Sequence, residues 1–391
     1  MFENGGKNYW KNKRLLAYPL LLVIIVAFGF GDRPFDPGYQ WDLHAYYGSV
    51  KSYAEGGEPY AHAEFTYVYP PPTMFLFQWM AWISFKTIRN VFTIINAIVL
   101  VGLIYLWAEK ILKCRNDPFF YIFCFGAYNT SILIALRSGN IELIINGILW
   151  LGFYFYLKGK TGLFCISTLA ASMFKINLIA LLVLLLFIND KRRGSYIMLS
   201  GLLFLAYLLS AYAMSPHLFS GYLDNIHEKA FGSERGAINP STLEFVKDIT
   251  VRLDKWTGLF HTESSRILAY LAVAAATIIL SLYAYLRFSR RTRGDNRMLV
   301  LFFICIVYAI ISPRFKDYSY MLIIPPTYYF IAQKKEYMNI ATILLVLTFP
   351  PVSSGLATST LLDGLGVYFP LFLAYSVWLM CIMEMTNASK D

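Results

Sequence analysis

What most constrains this chain is the recurrence of apolar runs from one end to the other. They lie near 15–30, 73–85, 90–108, 118–136, 140–157, 161–188, 194–213, 264–286, 298–312, 318–332, 339–355 and 366–384. Several are long enough to cross the ~30 Å hydrocarbon layer as helices. A lipid-exposed segment has to satisfy its own backbone hydrogen bonds, which selects the helix. Only 15% of the 391 residues are charged, against about 25% in soluble domains. The pattern predicts an all-α polytopic membrane protein of about 12 transmembrane helices, built as a single integral membrane domain over 1–391.

Charge placement supplies an orientation. The net charge of +10 comes from short basic runs between apolar segments, "KNKRLL", "KILKCR", "NDKRRG" and "RFSRRTRG". That is the positive-inside pattern and gives no reason to expect nucleic acid. Two threadings fit the hydropathy. If 73–85 crosses the bilayer and 161–188 is one long span, Lys110, Lys113, Arg115, Lys158 and Lys160 fall outside. If 73–88 is a re-entrant or surface helix and 161–188 breaks at "FKIN", those cations join Lys191, Arg192 and Arg193 inside. The second threading is preferred for that reason. It makes 31–72 and 214–263 the two long external loops and 264–391 the C-terminal helices, with both chain ends cytoplasmic. The N-terminal basic region and Leu15–Phe30 then form an uncleaved signal anchor. The five cysteines fall in or beside predicted spans, so no external disulfide is expected.

The same threading leaves Arg89, Arg137, Glu142, Lys175, Arg314 and Lys316 at external span ends. Cations on that face, against the rule, call for an anionic ligand. Asp42 opens a helical pattern, "DLHAYYGSVKSYAEGG", that Gly56-Gly57 ends. Tyr46, Val50 and Tyr53 share one face of it, suited to a membrane surface. The plain account of Asp42 is a helix N-cap, which would also keep it ionised, as a general base requires. The clustered tyrosines suit an interfacial aromatic belt or a stacking platform for sugars. Lys175 interrupts a long apolar run, which marks either a functional cation or a snorkelling one. Arg137 follows Lys175 as a candidate for the functional role, while for Arg89, Arg314 and Lys316 service as solvated loop charges is the plainer account. No Gly-rich phosphate cradle is present and no His/Asp spacing suggests a metal, so neither a cofactor nor a metal is expected.

The order Asp42, Tyr46-Tyr47, Gly57-Glu58-Pro59-Tyr60 and Tyr69-Pro70-Pro71 resembles the first external loop of glycosyltransferase family 87. "RSGNIELIINGILWLGFYF" is similar to the family's Gly-Gln/Asn segment, with Gly139-Asn140-Ile141-Glu142 in place of the commoner Gly-Gln-x-Asn. The alanine-rich span ending at Lys175 and the Asn239–Ser241 segment of "INPST" are also similar, the former without the usual following proline. The resemblance extends over about 15–245. It implies a GT-C-like fold with surface helices in a large first external loop, and use of a polyprenyl-phosphate-sugar donor and a glycolipid or glycan acceptor at the lipid bilayer. It further implies transfer of one hexose, mannose in the commonest case, with Asp42 as base. Lys175, Arg137, Arg89, Arg314 and Lys316 would hold the donor phosphate. Tyr46, Tyr47, Tyr60, Tyr69, Asn140, Glu142, Asn239 and Ser241 would line the substrates. A secondary transporter, or a polymerase or ligase moving whole lipid-linked glycans, are the competing readings. A transporter should show paired half-structures and midplane charges, whereas these charges gather at one face.

Overall fold

Prolines, caps and glycines set where each helix starts and stops in the computed structural model, which describes residues 40–60, 67–188, 190–231, 236, 238–290, 296–333 and 366–387. Every regular element among them is helical. Helix α1 (Trp41–Ala54) follows a left-handed Gln40 and is stopped by Gly56, at φ 82°. Helix α2 (Pro71–Phe77) opens on two prolines, which are tolerated where a helix has no N–H partner to lose. It continues as the 3-10 turn Gln78–Trp82 and ends at the extended Ile83. Ser84 then caps α3 (Phe85–Tyr105), which runs on as the π-helical Leu106–Ile111. The 73–85 run is therefore a short helical piece broken from the span that follows.

Helix α4 (Pro118–Ser138) is capped by Asp117 and leaves the right-handed helix at Ala127–Thr130, where three consecutive residues have positive φ. Left-handed geometry costs an L-residue about 1–2 kcal/mol, so packing has to hold it. Tyr128 is fully buried there, stacks on Tyr320 at 5.2 Å and shares a hydrogen bond with Thr327. Helices α5 (Glu142–Leu157) and α6 (Thr161–Ser172) form a tight hairpin. A Cβ on Gly152 would lie 2.8 Å from the Ser167 Cβ, so only glycine permits this crossing.

The 161–188 run is broken, as the preferred threading requires. After α6, Lys175 is extended, and Ile176–Phe187 returns as a 3-10 helix. Thr161 Oγ1 donates to Asp190 Oδ2 at 3.4 Å, so both ends of the run meet at one end of the bundle. Lys175 sits at the opposite end, beside the first turn of α5. The chain thus rises to Lys175 and turns back.

Helices α7 (Arg193–Met214), α8 (Pro216–Phe231), α9 (Thr242–Thr257), α10 (Glu263–Ser289) and α11 (Arg297–Ile311) follow. The 3-10 segment Asp317–Ile323, α12 (Ile324–Tyr328) and α13 (Phe369–Asn387) complete the described fold. Among the described residues five helices are long and apolar enough to cross a membrane, and four shorter apolar helices pack with them. The expected spans at 15–30 and 339–355 lie outside the described residues. The second long polar stretch is largely helical, formed by α8 and α9. Leu199, Leu202 and Leu209 on α7 and Leu268 and Ile279 on α10 face outward. Apolar faces of this extent would be a liability in water and are matched by lipid.

Candidate active site

The end of α4 and the start of α1 meet at Gly139. Its φ of 67° favours glycine, and the space around it is tight: a Cβ would lie 3.0 Å from the Leu43 Cβ and 3.1 Å from the Gln40 Cβ. Gln40 seals the contact. Its N–H donates to the Arg137 carbonyl at 3.0 Å, and its Nε2 donates to Thr93 Oγ1 on α3 at 2.7 Å. These bonds bring Asp42 over Asn140, whose Nδ2 donates to Asp42 Oδ2 at 2.8 Å. The other end of the same amide, Oδ1, accepts from the Glu142 N–H at 2.7 Å. Asn96 Nδ2 steadies the Asn140 carbonyl at 3.3 Å. One asparagine thus ties the carboxylate of α1 to the first turn of α5.

Asp42 is the second residue of α1. The helix N-cap is Gln40, without a side-chain cap bond, so Asp42 does not cap the helix. Its side chain turns to Asn140 and is only partly covered. Burial pushes its pKa above the ordinary value, against the opposing pull of Lys316, the Asn140 and Ser138 side chains, and Arg314. A carboxylate made more basic by its surroundings, with cations alongside, is suited to accepting a proton.

On the other side of Asn140, Glu142 is 4% exposed. Both its carboxylate oxygens lie 2.8 Å from Lys175 Nζ, which also donates to Ser319 Oγ at 3.0 Å. Lys175 therefore does not snorkel away from the protein. It lines a small cleft with Glu142, Asn146, Tyr308, Arg314 and Ser319. Tyr318 lies between two cations, with Lys175 Nζ 6.0 Å and Lys316 Nζ 5.8 Å from its ring centre. Its electrostatic neighbours include both Asp42 and Glu142, so the two carboxylates belong to one polar region.

The tyrosines are neither a surface belt nor free platforms. Tyr46 stacks on Phe77 at 6.0 Å, and its hydroxyl bonds that of Tyr69 at 3.0 Å. Tyr60 donates to the Tyr69 carbonyl at 2.8 Å and packs on Tyr67 and Tyr222. Burial raises the pKa of Tyr46, Tyr60 and Tyr69, so these hydroxyls stay protonated. Tyr47, against Phe85 at 5.3 Å, is partly exposed, as is Tyr53 against Phe75. The Tyr46 and Val50 face of α1 rests on this aromatic cluster instead of a membrane surface.

Asn239 and Ser241 act one step back from the cleft. Asn239 Oδ1 accepts from the Phe315 N–H at 2.9 Å. Ser241 Oγ donates to the Pro313 carbonyl at 2.8 Å while capping α9. Together they clamp the 313–316 segment that carries Arg314 and Lys316. Arg89 lies elsewhere, beside His44, whose pKa is lowered by burial and by that guanidinium. Arg137 contributes its carbonyl to the α1 contact, and its side chain is exposed. Neither arginine lines the cleft.

Gln40, Ser138, Asn146, Tyr318 and Ser319 were not anticipated. Asn146 had a signal: it follows Glu142 by one helical turn inside an apolar run. Tyr318 and Ser319 follow the Arg314–Lys316 pair after a single residue, Asp317. Among the described residues no group of three or more His, Cys, Asp or Glu side chains is arranged to hold a metal. All five cysteines are unpaired.

Comparison with curated proteins gives no match. The model of glycosyltransferase family 87 matches residues 67–313, from the aromatic cluster to the end of α11. The match covers more than half of the chain and includes Asn140, Glu142 and Lys175, with Asp42, Arg314 and Lys316 beyond its ends. The chain belongs to glycosyltransferase family 87 and is a membrane glycosyltransferase, acting in a bilayer on a sugar donor and an acceptor.

Proposed function

We propose that this enzyme transfers a single hexose, mannose in the first instance, from a polyprenyl-phosphate-sugar to a lipid-linked or glycan acceptor, using a GT-C-type helical scaffold. The site would face the extracytoplasmic side of the cell membrane. The observation that carries the reading is the junction at Asn140. It holds one carboxylate, Asp42, beside Lys316 and Arg314, and through the Glu142 N–H it roots a cleft in which Glu142 pairs with Lys175.

In this mechanism Asp42 removes the acceptor hydroxyl proton as the acceptor oxygen attacks the anomeric carbon. The bond from that carbon to the phosphate oxygen breaks on the opposite side, with inversion, and polyprenyl phosphate leaves as an anion. The proton ends on Asp42 and the electron pair on the phosphate. Arg314, with a planar fork of donors, and Lys175, as a point charge, stabilise the leaving group. An ammonium has three N–H donors, and Glu142 and Ser319 take two of them. The positive charge of Lys316 opposes the effect of burial on Asp42 and favours its ionised form. Tyr46, Tyr60 and Tyr69 act by fixing α1 and the loop, and Tyr47, partly exposed, would be the one of these four left to meet substrate. Arg89 and Arg137, outside the cleft, have no part in this step.

The test compares wild type with Asp42→Asn in lipid nanodiscs, using radiolabelled polyprenyl-phosphate-mannose and a panel of glycolipid acceptors. Removal of a catalytic base costs about 10²- to 10⁴-fold, so the variant should bind donor and fail to transfer. Wild-type-like transfer by Asp42→Asn removes Asp42 from the role. Absence of transfer by wild type from any polyprenyl-phosphate sugar removes the donor class.

A further inference from the structure

The cleft beside Lys175 carries two kinds of group, and they ask for different partners. Lys175 and Arg314 supply positive charge. Glu142 and Asn146, one helical turn apart on α5, supply acceptors. Asn146 Nδ2 is committed, donating to the Glu142 carbonyl at 3.0 Å and to Oε1 at 3.2 Å. Asn146 Oδ1 is buried in a residue only 2% exposed and accepts no hydrogen bond among the described residues. Glu142 Oε2 receives no hydrogen bond in good geometry either, although Lys175 is near it.

Buried acceptors without donors are uncommon and costly, and each one asks for an O–H or N–H. A phosphate diester has no proton to offer and cannot serve them. A sugar hydroxyl can, and it can also accept from Ser319 or Lys175. The cleft is narrow, with room for a group about the size of a water molecule and not for a whole hexose ring.

We propose that Asn146 is a specificity-determining residue: its Oδ1, with the Glu142 carboxylate, receives one hydroxyl of the transferred sugar, while Lys175 and Arg314 face the phosphate attached to the same sugar. The proposal rests on the reading of this site as the place of sugar transfer. It goes further in naming which side of the cleft reads sugar and which reads phosphate. A site built to hydrogen-bond a hydroxyl rejects the analogue that lacks it, because its own buried groups are then left unpaired.

The test measures binding of mannose 1-phosphate, each of its mono-deoxy analogues and inorganic phosphate to the full-length protein in nanodiscs. In wild type one deoxy analogue should bind about 10- to 100-fold more weakly than the parent, the others nearly as well. In Asn146→Ala the parent should fall to the level of that analogue, and the difference between them should disappear. A purely structural role for Asn146 would lower all ligands alike and leave the pattern intact. Asn146→Ser provides a second variant should the alanine protein fail to accumulate. Its hydroxyl turns back to the carbonyl four residues earlier, away from the cleft.

Equal binding of every analogue by wild type overturns the proposal. So does a deoxy pattern preserved in both variants. Inorganic phosphate binding as well as mannose 1-phosphate would show a cleft that reads only the anion, with the same consequence. The transfer assay separates the two conclusions. A deoxy pattern that depends on Asn146, without transfer from any polyprenyl-phosphate sugar, keeps this inference and removes the donor assignment. Transfer without the pattern does the reverse.

Discussion

At Asp42 burial and charge pull against each other, and the balance fixes two signs. Burial raises the folded-state pKa above the ordinary 3.8, with Lys316, Asn140, Ser138 and Arg314 opposing it. Between 3.8 and the raised value the folded protein binds more protons than the unfolded chain, so stability falls as pH rises through that window. Above that window the ionised carboxylate is a standing cost to the fold. Asp42→Asn retains an acceptor for Asn140 and removes the charge. Its melting temperature at pH 7 should be no lower than that of wild type, even as transfer is lost. As the proposed base, Asp42 must be deprotonated to act, so kcat/KM should fall as pH drops through the raised value, on a limb lying above that of an ordinary aspartate. A limb at the ordinary value, or a marked loss of Tm in Asp42→Asn, would show that burial is not the dominant influence on this carboxyl.

At the scale of elements, the seat of Asp42 is the contact between the α4 terminus and α1, and Gly139 is where that contact is thinnest. Gly139→Ala places an L-residue at φ 67° and sets its Cβ against Leu43 and Gln40. The left-handed geometry alone costs about 1–2 kcal/mol. Relief of the contact needs a small shift of α1 against Asn140, which loosens the Asn140–Asp42 bond, so transfer should fall further than donor binding does. Thermal unfolding and a paired kcat and KM measurement check both parts. Normal kcat in a folded Gly139→Ala protein would mean that the Asn140–Asp42 bond is not needed for chemistry. The sequence displays the parts of this junction better than the junction itself. The Gly56 stop, the prolines opening α2 and the break at "FKIN" are local chemistry, and the chain carries them openly. Asn140 and Asp42 are 98 residues apart, and Lys175 and Ser319 are 144 apart. No local rule joins such pairs, so the sequence shows Lys175 as a cation in an apolar run and hides its partnership with Glu142. The tyrosines mislead for a related reason. Composition places them at an interface, and only the packing reveals that Tyr46, Tyr60 and Tyr69 spend their ring faces on one another and on neighbouring aromatic side chains.

For the whole molecule the decisive question is which end of the bundle faces which side of the membrane. Lys158 and Lys160 lie in the α5–α6 turn, at the same end as the Thr161–Asp190 bond and the Lys191–Arg193 run. Asp42, Asn140, Lys175 and Lys316 gather at the other end. By the positive-inside rule the first end should be cytoplasmic, which would open the proposed site to the extracytoplasmic side, where a lipid-linked sugar and its acceptor would meet. Lys51 and Lys160 are exposed at the two opposite ends, and single cysteines there report the orientation. Cys114, the one native cysteine not fully buried, is first replaced by serine. In intact cells a membrane-impermeant thiol reagent should label Lys51→Cys and leave Lys160→Cys untouched until the membrane is permeabilised. The reverse pattern would place the catalytic end in the cytoplasm. Charge distribution would then have failed as a guide, and the cations around Asp42 would be ordinary inside charges needing no anionic ligand to explain them. Labelling as predicted leaves those cations as the exceptions to the rule, and an anion at the outer face as the reason the chain keeps them.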